Sequence, residues 1–275
     1  MTGSVHPQEW ATFDVKKYPS AAARASALRR TVPASVVSKG GFSDLLNSWL
    51  LAEGRFEDIV GQDLFFTHEG LRIHAYLYCS GGPADKPAAL LLHGYTPDSL
   101  ELSALAKKLA EFGWAAVVLE ARGRGMSEGS SEDVNGYARD ALTALKYMRI
   151  LGVDRSRMFV VGQSVGSAVA VICGAVDQEV AGIVAMHAYD EFSPDSLGGE
   201  VCDPDVRRPV DVVNRISPRP LLIIASDKDN ILPLDGAVKL YKAAKAPKRL
   251  LILRDGTHAL EDSEVYALGW LVSKA

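Results

Sequence analysis

The chain has 275 residues, 48% of them hydrophobic and 23% charged, with a net charge of -4 and a pI near 5.9. That length and apolar content suffice for one large α/β domain with a sizeable core. A slightly acidic chain with no basic stripe excludes an electrostatic case for binding nucleic acid or a membrane surface, and no apolar run approaches the roughly 20 residues that span a bilayer.

The first residues lack a charged start followed by an apolar stretch and a cleavage site, so a cytoplasmic protein is the expectation. Residues 16 to 40 are rich in Ala, Ser, Arg and Lys and carry no acid, which makes an organellar targeting segment the lesser alternative. Pro7 and Pro19, with no sustained period between them, predict an irregular arm over residues 1 to 20. Residues 20 to 30 have high helix propensity, and Phe42, Leu45, Leu46, Trp49 and Leu50 recur at helical spacing. Residues 1 to 60 therefore read as a helical N-terminal extension packed on a main domain over 61 to 275.

From Gln62 the rhythm becomes that of strands. Asp63 to Thr67, a Glu69-Gly70 turn, and the alternating Leu71, Ile73, Ala75 and Leu77 predict an antiparallel hairpin, in which His68 and His74 are surface or strand residues rather than ligands. There follow strand 88–92, helix 100–112, strand 114–119, helix 136–151 and strand 158–161. After these come strand 180–186, strand 221–225, helix 235–244, strand 249–253 and a helix from about 261 to 272. Alternating strands and helices mean parallel βαβ units. Residues 188 to 219 hold five prolines and glycines early on and a short helical stretch near Val210 to Ile216, too small for a full cap domain. They form a short lid region. Cys79, Cys173 and Cys202 are widely spaced with no C-x-x-C pair and read as free thiols, the first two packed and the last in a loop.

In such sheets function lies just past the C-terminal ends of the strands. Past residue 161 stands Gly162-Gln163-Ser164-Val165-Gly166, a G-x-S-x-G pattern between an apolar strand and a small-residue helix. The glycines admit a sharp turn that pushes the Ser164 hydroxyl outward and leaves the Val165 N–H at a helix start. The plain alternative is a serine in an ordinary strand-to-helix turn. Past Leu92 stands His93-Gly94-Tyr95-Thr96, where glycine lets the backbone turn an N–H inward. The Tyr95 N–H is the expected second oxyanion donor with Val165, Thr96 is the alternative, and His93 is structural. Past Leu119 stands Glu120-Ala121-Arg122-Gly123-Arg124-Gly125, read first as a salt-bridged loop. If it binds substrate, Arg122 or Arg124 suits a carboxylate or phosphate. Past Ala225 stand Asp227 and Asp229, and past Leu253 stands Gly256-Thr257-His258.

A serine, an acid and a histidine thus follow in chain order, each just past a strand. With the His-Gly loop and the Asp-x-x-x-Pro loop, residues 62 to 273 resemble the α/β-hydrolase family. The resemblance implies a mostly parallel eight-stranded sheet with an antiparallel N-terminal hairpin and helices on both faces. It implies Ser164 as nucleophile, His258 as base and Asp229, ahead of Leu232-Pro233, as the acid in preference to Asp227. Asp190 and Glu191 are rivals for that last role. The chemistry asks for the same three groups, because a serine hydroxyl attacks only when an imidazole takes its proton and an acid fixes the tautomer of that imidazole. No metal or organic cofactor is needed. A small-molecule ester or thioester is the expected substrate, with Thr96, Arg124 and His187 as candidate contacts. A peptidase or acyltransferase with the same triad, and a catalytically silent binding protein on this fold, are the alternatives.

Overall fold

The computed structural model describes residues 10–14, 59, 61–96, 100–190, 208–259 and 261–274. The helices expected over 20–30 and 42–52, most of the lid region, Cys202 and Glu191 lie outside the described residues.

The strands are β1 (Trp10–Asp14), β2 (Gln62–His68), β3 (Leu71–Tyr78), β4 (Ala88–Leu92), β5 (Ala115–Leu119), β6 (Met158–Gln163), β7 (Gly182–Met186), β8 (Leu221–Ser226) and β9 (Lys248–Arg254). The helices are α1 (Ser103–Glu111), α2 (Val134–Ile150), α3 (Val165–Val176), α4 (Pro209–Val212), α5 (Leu234–Ala243) and α6 (Glu261–Val272). One sheet takes all the strands in the order β1-β9-β8-β7-β6-β4-β5-β3-β2. Strands β2 to β9 are the eight expected, with β2, β3 and β5 joined antiparallel and the others parallel. The arm over residues 1 to 20 is not wholly irregular. Its residues 10–14 pair parallel to β9, Trp10 opposite Leu250 and Asp14 opposite Arg254. Five residues are too few to show a period, and the open edge that recruits them lies at the far end of the chain.

Both faces of the central strands are buried, which is why they read as unbroken apolar runs. Leu90, Val160, Ile183 and Ile223 pack on one face with Ala138 and Leu145 of α2, Val169 of α3 and Leu240 of α5. Leu91, Val161, Val184 and Ile224 pack on the other with Leu105 and Leu109 of α1 and Leu268 and Leu271 of α6. Successive side chains point to opposite faces, so each strand serves both layers. Glycine at 174 lets α3 lie close to the sheet, since a Cβ there would come within 2.6 Å of Ile183.

Cys79 and Cys173 are buried free thiols. His74 is not a surface residue. It is wholly buried, with Nδ1 2.8 Å from Glu120 and Nε2 3.0 Å from Asp63, because β3 lies inside the sheet between β2 and β5. Among the described residues no helix is long and apolar enough to cross a membrane.

Candidate active site

The turn from β6 into α3 holds Ser164 at φ +53° and ψ -121°, a backbone state that costs a non-glycine residue on the order of 1–3 kcal/mol. The two flanking glycines make it possible. A Cβ on Gly162 would run into the carbonyl oxygen of Gly166, and one on Gly166 into that of Leu92 on the adjoining strand. Ser164 occupies the N-cap position of α3, yet its hydroxyl caps nothing. Ser167 Oγ instead takes up the Ser164 carbonyl at 2.6 Å. A serine in an ordinary turn would spend its oxygen on the helix N–H groups; this one does not.

The loops after β7, β8 and β9 lie side by side because those strands are neighbours. Asp229, from the loop after β8, sits between two imidazoles. Its Oδ2 is 2.7 Å from His258 Nδ1 and 3.2 Å from His187 Nδ1, while Oδ1 accepts the N–H groups of Ile231 at 2.9 Å and Leu232 at 2.8 Å. Burial by itself would push the Asp229 carboxyl up. The hydrogen bonds from His187, the Leu232 N–H, His258 and the Ile231 N–H outweigh burial and hold it well below the usual carboxylate range. Asp229 is therefore ionised and accepts the Nδ1–H of His258, so the neutral form of that ring carries its lone pair at Nε2. Gln163 Nε2 lies 3.5 Å from that Nε2. No hydrogen bond joins Ser164 to His258.

A cavity of about 1200 Å³ opens over the elbow, lined by Ser164, Val165, Gln163 and His258 together with Gly94, Tyr95, Thr96, Glu101 and Tyr189. The structure thus brings Ser164, His258, Tyr95, Val165 and Thr96 to one cavity and sets Asp229 behind His258. Ile231 and Leu232 add an apolar wall, and Glu132 and Asp133 an acidic one.

Two of the expected substrate contacts stand elsewhere. His187 is not on the cavity: it is 1% exposed, at φ +48°, with Nε2 3.2 Å from the Ala259 carbonyl and Nδ1 on Asp229. The close approach of the loops after β7 and β9 buries it. Arg124 lays its guanidinium 4.6 Å from the centre of the exposed Tyr95 ring, beside the cavity rather than in it. Arg122 bears out the salt-bridged reading of its loop. It binds Asp140 through both Nε and Nη2 at 2.9 Å, and it reaches Asp133 at 2.5 Å and Glu69 at 3.1 Å. His93 is structural as expected, receiving the Ala121 N–H at 3.0 Å.

Of the rival acids, Asp190 faces Lys239 at 3.6 Å and the start of α5, away from His258. Asp227 accepts the Asp255 N–H at 2.6 Å and braces the loop after β9. The donor atoms of His187, Asp229 and His258 lie within 4.8 Å of one another, a set able to hold a cation. Their separations of 2.7 and 3.2 Å are those of shared protons, so hydrogen bonding accounts for the cluster without a metal. What the residue pattern did not disclose is the second imidazole on Asp229 and the amide of Gln163 beside His258. The glutamine stood inside the motif, at a position the pattern leaves open.

A family model described as serine aminopeptidase, S33, matches residues 83–192. The uncharacterised protein YfhR of Escherichia coli strain K12 is 29% identical over 207 residues, 70% of this chain and 72% of that one. The α/β-hydrolase GrgF from Penicillium sp. sh18 superposes with a TM-score of 0.67 at 18% identity, over 78% of this chain and 98% of that one. The esterase Pf2001 of Pyrococcus furiosus does so with a TM-score of 0.62 at 18% identity, over 78% and 93%.

Proposed function

We propose that this chain, which has the α/β-hydrolase fold, is a serine hydrolase that cleaves carboxylic esters or thioesters of small molecules through Ser164, His258 and Asp229. The observation that carries this reading is the 2.7 Å bond from His258 Nδ1 to an ionised Asp229, on an imidazole that shares one cavity with a strained serine whose hydroxyl does not cap its helix. As substrate enters, His258 Nε2 turns to Ser164 and takes its proton while Oγ attacks the acyl carbon. The N–H groups of Val165 and Tyr95 receive the oxyanion, each worth on the order of 3 kcal/mol in comparable sites. The imidazolium, steadied by Asp229, returns the proton to the leaving alcohol or thiol. Water then repeats the sequence on the acyl-enzyme. No step calls for a metal or organic cofactor.

A second reading, hydrolysis of an aminoacyl or peptide bond by the same triad, is favoured by Glu101 and Glu132 on the cavity wall, which suit a substrate ammonium. It also agrees with the description of the matching family model. The test is a fluorophosphonate probe followed by a panel of nitrophenyl esters, acyl-thioesters and aminoacyl amides. Wild-type protein is labelled and turns over an ester or thioester fastest, and Ser164→Ala loses both labelling and turnover. Full activity in Ser164→Ala sinks the assignment. A preference for aminoacyl amides selects the second reading, and folded wild-type protein that takes no label is a binding module.

A further inference from the structure

Gln163, the residue before the serine, has no part in the proton transfers above. It ends β6 and is 4% exposed. Its two polar atoms meet different surroundings. Nε2 lies 3.5 Å from His258 Nε2, the nitrogen that must take the serine proton. Oε1 is buried with no hydrogen-bond partner among the described residues. It fills the space that a side chain at residue 94 would need, since a Cβ on Gly94 would collide with it. Gly94 and Gln163 are a matched pair: a missing side chain on the loop after β4 admits an amide from the end of β6. An unpaired buried amide oxygen is costly, and an aliphatic side chain would avoid that cost. The other end of the amide must then matter.

Proton accounting says how. Asp229 accepts from His258 Nδ1, so the neutral imidazole, the form that can act as base, carries its lone pair at Nε2. An amide NH₂ can donate to that lone pair. Once the proton of Ser164 has moved to Nε2, two donors face each other and the contact is lost. The amide therefore favours the idle base, and it faces the same nitrogen that Ser164 must reach.

We propose that Gln163 is a positioning residue for the base: seated in the slot left by Gly94, its amide occupies the lone pair of His258 Nε2 in the resting enzyme and yields it to Ser164 when substrate binds. This rests on the serine-hydrolase reading of Ser164 and His258. The other groups facing the imidazole act elsewhere on it. Asp229 takes Nδ1, the His187 ring lies 4.9 Å away, and Glu101, Glu132 and Asp133 line the shared cavity.

Two variants separate the role from mere packing. Gln163→Met keeps the length and removes the donor; Gln163→Glu keeps the shape and offers an acceptor to a protonated Nε2. The His258 ring is titrated by NMR in each protein in a Ser164→Ala background, with thermal melts to establish folding. Fluorophosphonate labelling is then followed against pH with Ser164 restored. The His258 midpoint should rise in the order Gln, Met, Glu, by about 0.5–1 unit for Met and about 1–2 units for Glu, and the acid limb of labelling should move with it. Coincident midpoints in the folded proteins overturn the proposal, as does the reverse order. Should Gln163→Glu fail to fold, Gln163→Met against wild type decides alone. Wild-type protein that takes no label at any pH refutes the hydrolase reading, while the NMR titration still decides whether the amide holds Nε2.

Discussion

Replacing Asp229 by asparagine tests the triad most sharply, because the structure dictates which way the new amide must face. Oδ1 accepts two backbone N–H groups, from Ile231 at 2.9 Å and Leu232 at 2.8 Å, and an NH₂ there would meet two donors. The asparagine oxygen must take that side. Its NH₂ then stands at the position of Oδ2, facing His258 Nδ1 at 2.7 Å and His187 Nδ1 at 3.2 Å. A donor facing Nδ1 stabilises the tautomer with a lone pair at Nδ1 and hydrogen at Nε2. That tautomer cannot accept the serine proton. The corresponding change in a well-studied serine protease lowers turnover about 10⁴-fold with the geometry intact, which at 1.36 kcal/mol per tenfold adds about 5.5 kcal/mol to the barrier. The assay is steady-state hydrolysis of the best substrate of the panel, with melting temperatures to show that the variant is folded. Asp190→Asn is the control. Its carboxylate faces Lys239, so its loss should stay within about twofold. An Asp229→Asn enzyme within tenfold of wild type, or an equal loss in Asp190→Asn, would falsify the reasoning.

Two further outcomes concern stability. Arg122→Met removes the guanidinium that pairs both oxygens of the wholly buried Asp140 and leaves it, among the described residues, the His68 contact at 2.8 Å; the expected loss is about 3–5 kcal/mol, read by urea denaturation, and a change under 1 kcal/mol contradicts a structural role. Asp229 also links stability to pH. Its carboxyl is held below its unfolded value of about 3.9, so its contribution is complete above that pH and is lost as pH falls toward the folded value. The gap in melting temperature between wild type and Asp229→Asn should therefore narrow below about pH 4, and a gap that widens there refutes the assignment.

Much of the site was legible because its requirements are local. The turn at Ser164 is steric: Ser164 stands at positive φ between two glycines, and a Cβ on Gly162 would strike the Gly166 carbonyl within the same five residues. The βα alternation follows from apolar runs, and Tyr95, Asp229 and His258 each stand directly after one. Other features needed neighbours that chain order does not reveal. Strand β1 finds its partner at the opposite end of the chain, on the open edge of β9. His187 looked free to meet substrate, and adjacency of β7 and β8 instead turned it onto Asp229. Arg122 and Arg124 read alike in sequence. One is buried among Asp140, Asp133 and Glu69, and the other lies on an aromatic ring at the surface.

Within the elbow itself the division is plain. The sequence alone pointed to a strained, outward-facing serine at residue 164, because the sharpness of the turn rests on backbone sterics within the motif, to which the tertiary structure adds the close approach of Leu92 to Gly166. Only the tertiary structure decided what the serine and its base meet, because strand order sets which loops lie together. Pairing of β4 with β6 puts Gly94 beside Gln163, and the run β7-β8-β9 places two imidazoles on one carboxylate.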